Sequence, residues 1–348
     1  MLKNILVIKN DRLGDFAISL PALNLILNKY KNEKITFILS DINFGFSFLL
    51  EKNKVSFIKI SYSLNLFERV NIFLLLLFKN FEKVYIFRPK NYYFFLPFFF
   101  RKIKFIGICI KNKNILRPNK FLLKYLNYFL INDRDIDGKR DSIVELQIKA
   151  INYKPIYVEN LINNINSFNL EKYNLPRDYI LIHYKDAIFS KAGWTIYNFI
   201  SLLNNISKFI NVILISDLEN EKFKSNFMEN YSYIDLKNKS EDIKIKENNV
   251  IFANNVMGQD LANLIRNAKI VIACHGTMTL LANYFNVKTL DLYYIDKNIS
   301  NFRQQYLNSY REFRPLNKTI YKRIVFKEYY IYEKKIISFI KILLKNNE

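Results

Sequence analysis

The sequence predicts an α/β chain of two doubly wound, Rossmann-like lobes whose parallel sheets face a cleft. Three observations lead there. The 348 residues suit two domains of about 150–200 residues each. Short apolar runs alternate with helical periodicity in two series, separated by an asparagine-rich stretch from Tyr153 to Pro176. Half of the residues are apolar and 16% are aromatic, enough to fill two cores and to exclude a disordered tail or linker protein.

The first series occupies a lobe over 1–165. Asn4 to Ile8 reads as a buried parallel strand, and the loop Lys9 to Asp15 follows it. From Phe16 to Tyr30, the positions Ile18, Leu20, Leu23, Ile26 and Leu27 recur at helical spacing. Strands follow at Lys34 to Leu39, Val55 to Ile60, Val84 to Phe87 and Lys104 to Ile108. Helices are expected at Leu66 to Phe78, Phe94 to Phe100, Asn119 to Leu130 and Ile143 to Ala150.

The second series fills 177–310. Tyr179 to His183 is a strand, then a long loop runs from Tyr184 to Ala192 before a helix from Thr195 to Phe209. Val212 to Ser216 is a strand that ends in the acidic loop Asp217 to Glu221. A helix over Leu261 to Arg266 precedes the strand Ile270 to Ala273, the loop Cys274 to Thr277, a helix from Met278 to Phe285 and the strand Thr289 to Tyr293. Within 311–348, Ile336, Ile337, Phe339, Ile340, Leu343 and Leu344 share one helical face.

Several function classes drop out on composition. The seven glycines are too scattered for a G-x-G-x-x-G turn or a Walker loop. Two cysteines make no disulfide framework, and two histidines make no zinc-ligand cluster, so no metal is expected. The opening apolar run is too short for a signal peptide, and Ile72 to Phe78 and Tyr92 to Phe100 are too short to span a bilayer. The expectation is a cytoplasmic protein that rests, at most, on a membrane face. A net charge of +22 invites a polyanionic partner, although the abundance of Lys, Asn, Ile and Phe also matches drift toward AT-rich coding. The basic residues are spread along the chain rather than grouped in a recognisable module, so no nucleic-acid partner is expected.

Ligands of doubly wound sheets bind where strand ends meet helix N-termini, which nominates three loops. In the first, Asn10-Asp11-Arg12-Leu13-Gly14-Asp15, Gly14 permits a sharp turn and Asp15 stands at the helix N-terminus. An ionised carboxylate there can take a proton from an attacking hydroxyl; alternatively Asp15 is only an N-cap. In the second, Ser190-Lys191-Ala192-Gly193-Trp194, Lys191 suits a diphosphate leaving group, with His183 and Lys185 in the same connection, or is one of many solvated lysines, while Trp194 packs the following helix. In the third, the amides of Gly276 and Thr277 and the Thr277 hydroxyl can hold a phosphate. His275 is either a donor to that phosphate or a hydrogen-bonded core residue, and Cys274 is buried and inert.

Together these loops resemble the family 9 glycosyltransferases, the ADP-heptose:lipopolysaccharide heptosyltransferases. Asp11-Arg12-Leu13-Gly14-Asp15 with Leu20-Pro21-Ala22-Leu23 is similar to that family's N-terminal signature. Lys191 and Trp194 followed by Phe199, and Val271-Ile272-Ala273 with His275-Gly276-Thr277 and Leu281-Ala282, resemble its two C-domain motifs. The resemblance implies a GT-B fold and inverting, metal-independent transfer with no cofactor besides the nucleotide-sugar donor, which in the family is ADP-heptose. It further implies Asp15 as base, Lys191 as support for the diphosphate, and a donor pocket drawn from His183, Lys185, Ser190, Glu221, His275, Gly276 and Thr277. Glu219 and Glu221 are the candidate carboxylates for the nucleotide. The implied partners are a nucleotide sugar, a lipid-linked or polysaccharide acceptor and the anionic inner membrane, on which the basic-aromatic stretches Tyr92 to Lys104 and Tyr329 to Lys345 could rest. The alternative for the first, and the favoured one, is an internal helix and strand of the first lobe; for the second, the architecture implies that 311–348 packs back on that lobe. The chain departs from the family at His275, Gly276, Thr277 and Leu280 and at His183-Tyr184-Lys185, which points to an altered donor pocket or to a binding protein that has lost activity.

Overall fold

The computed structural model describes residues 3–87, 90–135, 142–152, 175–216, 221–236, 249–294, 302–313, 317–326 and 329–345. Most of the expected linker, Tyr153 to Pro176, and the loop holding Glu219 lie outside these residues, as does the side chain of Glu221. The chain divides into two compact units. Met1–Asn164 joins Asn301–Arg314, and Ile165–Ser300 joins Pro315–Glu348.

The first unit opens with β1 (Asn4–Lys9), α1 (Leu13–Lys29), β2 (Lys34–Ser40), a 3-10 turn (Phe44–Leu50) and β3 (Val55–Ile60). It continues with α2 (Leu66–Phe78), β4 (Phe81–Ile86), α3 (Asn91–Phe99), β5 (Lys104–Asn112), β6 (Ile115–Arg117), α4 (Lys120–Leu123), β7 (Tyr128–Asp133) and α5 (Ile143–Ile151). The spatial order β3-β2-β1-β4-β5 is parallel, and β5 carries the antiparallel β6 and the parallel β7. β1 is central, with Ile5 to Ile8 fully buried, which is why its sequence is an unbroken apolar run. α1 is buried continuously from Phe16 to Leu27 and packs against α5, where Gln147 Nε2 donates to Ser19 Oγ at 2.8 Å.

One expected element is wrong in kind. The helix expected over Asn119 to Leu130 is a single turn, α4, followed by strand β7, which pairs with β5 from Ile106–Tyr128 to Lys111–Asp133. The ladder offered by β5 outweighs the helical spacing of Phe121, Leu122, Tyr125 and Leu126.

The second unit contains β8 (Tyr179–Tyr184), α6 (Asp186–Phe189), α7 (Ile196–Ser207), β9 (Asn211–Ser216), α8 (Glu221–Asn230), β10 (Ser232–Asp235) and β11 (Val250–Asn254). Then come α9 (Gly258–Asn267), β12 (Ile270–Cys274), α10 (Thr277–Tyr284) and β13 (Lys288–Tyr294). The chain then gives α11 (Phe302–Glu312) to the first unit, and β14 (Tyr321–Phe326) and α12 (Tyr329–Lys345) complete the second. All seven strands are parallel in the order β10-β11-β9-β8-β12-β13-β14. The core joins Ile180, Phe189, Trp194, Phe199 and Phe252 with Ile336, Ile340 and Leu343.

That last group corrects the expectation for 311–348. The apolar face of α12 packs on α7 inside the second unit, burying Ile336 and Ile340 completely. The segment that joins the first unit is α11, whose Glu312 carboxylate is buried and takes hydrogen bonds from Asn132 Nδ2 at 3.2 Å and from Arg134. A buried acidic anchor with two donors ties this helix to the end of β7.

Candidate functional site

In each sheet the chain turns to opposite sides of one central strand, β1 in the first unit and β8 in the second. Loops diverge at the carboxyl end of such a strand and leave a crevice, the usual ligand position.

At the end of β1, Lys9 Nζ and Asp11 Oδ2 form a buried ion pair at 2.6 Å, their side chains 3% and 7% exposed. Asn43 Nδ2 donates to the carbonyls of Lys9 at 3.0 Å and Asp11 at 3.3 Å, and Ser40 Oγ donates to the Asp11 carbonyl at 2.7 Å. The loop is therefore held from the end of the neighbouring strand β2. Between the paired charges sits Asn10, fully buried, with neither Oδ1 nor Nδ2 hydrogen-bonded among the described residues.

Asp15 lies in the first turn of α1, half-buried. It is not an N-cap. Arg12 holds that position, and its side chain makes no capping hydrogen bond. Gly14 is not a turn either: it is the second helical residue, and among the described residues the positive-φ glycines are Gly193, Gly258 and Gly276. Helix formation begins at Leu13, three residues earlier than the loop reading supposed, so Asp15 is carried on helical backbone. Its carbonyl accepts Ser19 Oγ at 2.8 Å, which Gln147 holds in turn.

At the end of β8, half-buried His183 pairs across the ladder with Ala273, so the β8 and β12 loops share one end of the sheet. The expected long loop contains the short helix α6, with half-buried Lys185 as its N-cap residue. Asp186 Oδ1 accepts from Tyr184 OH at 2.9 Å and from Ser190 Oγ at 3.2 Å. Ser190 is thus committed to a carboxylate. Lys191 follows on a tight turn and is exposed. Gly193, at φ +76°, closes that turn, and the Trp194 amide donates to the Phe189 carbonyl at 3.0 Å. Trp194 packs on Phe189 with ring centroids 5.3 Å apart, as the sequence indicated.

Beyond β12, Gly276 adopts φ +155° and ψ −149°, a region essentially confined to glycine. Its amide donates to Thr279 Oγ1 at 3.2 Å and is spent there, whereas Thr277 opens α10 as its first residue. Of the two amides expected to hold a phosphate, the one at Thr277 has the helix-terminal position.

His275 anchors a buried network that no single stretch of sequence reveals. Asp291 Oδ2 lies 3.0 Å from His275 Nδ1 and accepts from Arg323 Nε at 2.6 Å and from Tyr321 OH. Arg323 Nη2 is also 3.0 Å from His275 Nδ1, and the guanidinium stacks 4.7 Å from the Tyr293 ring centre. The two contacts at Nδ1 exclude one another in a single protonation state, because Arg323 needs a lone pair there and Asp291 needs a proton. Burial alone would raise the Asp291 carboxyl, but His275, then Arg323 and Tyr321, outweigh it and hold it below the ordinary carboxylate range. Burial and the Asp291 charge push the Tyr321 hydroxyl far up, so it stays a donor. His275 is 16% exposed while Asp291 is wholly enclosed, placing the imidazole at the rim of the network. Among the described residues, no group of three or more His, Cys, Asp or Glu could hold a metal.

No family model matches the sequence, and comparison with curated proteins gives no match. The structure does match solved ones. It is similar to an Escherichia coli ADP-heptose lipopolysaccharide heptosyltransferase II at 14% identity and TM-score 0.65, covering 99% of both chains. It is also similar to the E. coli heptosyltransferase WaaC with ADP-2-deoxy-2-fluoro heptose, at 13% identity and TM-score 0.63, covering 97% of this chain and 99% of that one. A Listeria monocytogenes protein described as a UDP-N-acetylglucosamine 2-epimerase matches at 12% identity and TM-score 0.58, covering 100% of this chain and 89% of that one. The fold is GT-B. In GT-B terms Asp15 lies in the first lobe, and Lys191, His183, Lys185 and the His275 loop lie in the second. Sequence reasoning missed Asp186, Asp291, Tyr321 and Arg323. Only Asp186 carried a signal, as the one carboxylate in the loop between His183 and Lys191.

Proposed function

We propose that the protein is an inverting, metal-independent glycosyltransferase. It moves a heptose or related sugar from a nucleotide sugar to a lipopolysaccharide or other cell-surface glycan at the cytoplasmic face of a membrane. The observation that carries this reading is Asp15, a half-buried carboxylate on the first turn of a buried helix, at the carboxyl end of the central strand. Support comes from the GT-B fold, shared with a heptosyltransferase described with an ADP-heptose analogue.

In this mechanism Asp15 takes the proton of the acceptor hydroxyl as its oxygen bonds to the anomeric carbon. The bond from that carbon to the diphosphate breaks on the opposite face, and the electron pair departs with the phosphate oxygen. Lys191 and Lys185 neutralise the growing negative charge, and the amide of Thr277 receives a phosphate oxygen. His275, steered by Asp291 and Arg323, lends its ring edge to the donor. The base contributes about 10²–10⁴-fold to the rate.

A second reading, a GT-B binding or scaffold protein in glycan assembly, draws on Ser190 and the Gly276 amide being committed to Asp186 and Thr279. A thermal-shift screen against ADP-, GDP- and UDP-sugars separates the first reading from a chain without a donor site, because a bound donor stabilises the folded state by mass action. A rise in Tm with one nucleotide class is expected. No shift with any of them, together with no turnover, overturns the transferase.

A further inference from the structure

We propose that α2, α3 and α4 of the first unit form a docking surface for an anionic lipid bilayer, with aromatic side chains entering the interfacial region and a basic rim meeting the headgroups. α2 buries Ile72 and Leu76, yet it carries a second apolar stripe away from them: Phe67, Val70, Leu74, Leu77 and Phe78 are all exposed. Phe67 and Phe78 are 73% and 78% exposed. The stripe continues onto α3, where Phe95, Phe98 and Phe99 are exposed. Ring contacts make the surface continuous. Phe73 meets Phe99 at 5.6 Å, Phe98 meets Tyr125 at 5.1 Å, and Tyr125 meets the exposed Phe121 at 5.6 Å. An apolar patch of this extent marks an interaction site rather than ordinary surface.

Charge selects the occupant. Arg69, Lys79, Arg101, Lys102, Lys120 and Lys124 rim the aromatics and are exposed. The one carboxylate on these three helices, Glu68, is spent capping α2, taking the amides of Ser61 and Asn65 at 2.5 and 2.9 Å. A depression of 400 Å³ beside the stripe is lined by Arg69, Lys90, Tyr92 and Phe95 among others, with no acidic residue, and suits an anionic headgroup. A second copy of this chain would set the same cations against themselves across a two-fold axis. An anionic bilayer satisfies both the apolar stripe and its rim. The other basic-aromatic stretch, Tyr329 to Lys345, is excluded because its apolar face fills the core of the second unit.

The assignment deepens the membrane-face part of the proposed function, and it is tested without donor or acceptor. Co-sedimentation of the full chain with phosphatidylcholine vesicles, with and without phosphatidylglycerol, should show retention on the anionic vesicles only, weakening as salt rises. The exposed-site variant Phe67→Ser/Phe78→Ser/Phe99→Ser should lower partitioning at least about tenfold. Arg101→Gln/Lys102→Gln, which leaves the aromatics in place, should lower it about twentyfold. Absence of retention, equal retention by both variants, or a concentration-dependent dimer that the serine variant dissolves would each overturn the proposal. Failure here leaves transfer standing, and failure of transfer leaves vesicle binding to be read on its own.

Discussion

Two aspartates lie toward the carboxyl ends of the two sheets, and the fold treats them in opposite ways. Asp291 is wholly enclosed on β13, and one of its oxygens faces an imidazole, a guanidinium and a phenol. Asp15 is half-buried on α1, and among the described residues no hydrogen-bond donor holds its carboxylate. A carboxylate that must receive a proton needs an open lone pair; one that must fix a histidine needs all the donors it can get. On the proposed function, the first does the chemistry and the second is scaffolding.

The largest effect should come from Asp15→Asn. Turnover falls about 10²–10⁴-fold while Tm and donor affinity hold, read by product formation, calorimetry and titration. A variant with near-normal turnover would erase the contrast. Asp291→Asn should do the reverse. It leaves Arg323 buried against a neutral amide and costs about 3 kcal/mol, read as a lower denaturation midpoint. Because the folded Asp291 carboxyl lies below its unfolded value, its contribution is complete above about pH 4. It is lost as pH falls through the folded value. The gap in Tm between wild type and variant should therefore be wide at neutral pH and close in acid; a gap that widens in acid would refute the network as drawn.

Lys191→Ala sharpens the comparison at the donor side. Since Lys191 is exposed on a pinned turn, its loss should weaken donor binding about tenfold and leave stability unchanged. The smallest effect concerns Asn10, whose buried amide has no partner at either end among the described residues. Asn10→Leu should raise stability by about 1 kcal/mol, because an unpaired buried polar group is removed, and should slow turnover if the loop stores that cost for function. An unchanged or lower midpoint would mean that the amide is satisfied in solution.

The legibility of the two sheet ends differs for the same physical reason. Everything that positions Asp15, from Lys9 to Ser19, is contiguous apart from Ser40, Asn43 and Gln147, so a strand, a loop and a helix read in order were enough to nominate it. The helix start was misjudged by the weight placed on Gly14, which is an ordinary helical residue here. The network at His275 draws on β13 and β14, and Arg323 lies 48 positions along the chain from the imidazole. No spacing rule reaches that far; only the parallel pairing of Asp291 with Arg323 in the β13–β14 ladder brings it in. Long-range pairing likewise decided β7, whose sequence reads as helix until β5 offers it a ladder. The C-terminal apolar face of α12 was read correctly as a packing face, but a face does not name its partner, and the core of the second unit claimed it.

The reading of Asp15 as the base in a single displacement is tested most directly by the anomeric configuration of the transferred sugar, followed by proton NMR during turnover. Direct attack by a deprotonated acceptor predicts a product anomer opposite to that of the donor from the first turnover onward. Retention of the donor configuration would contradict it, because that outcome requires a glycosyl intermediate for which Asp15 is not the base.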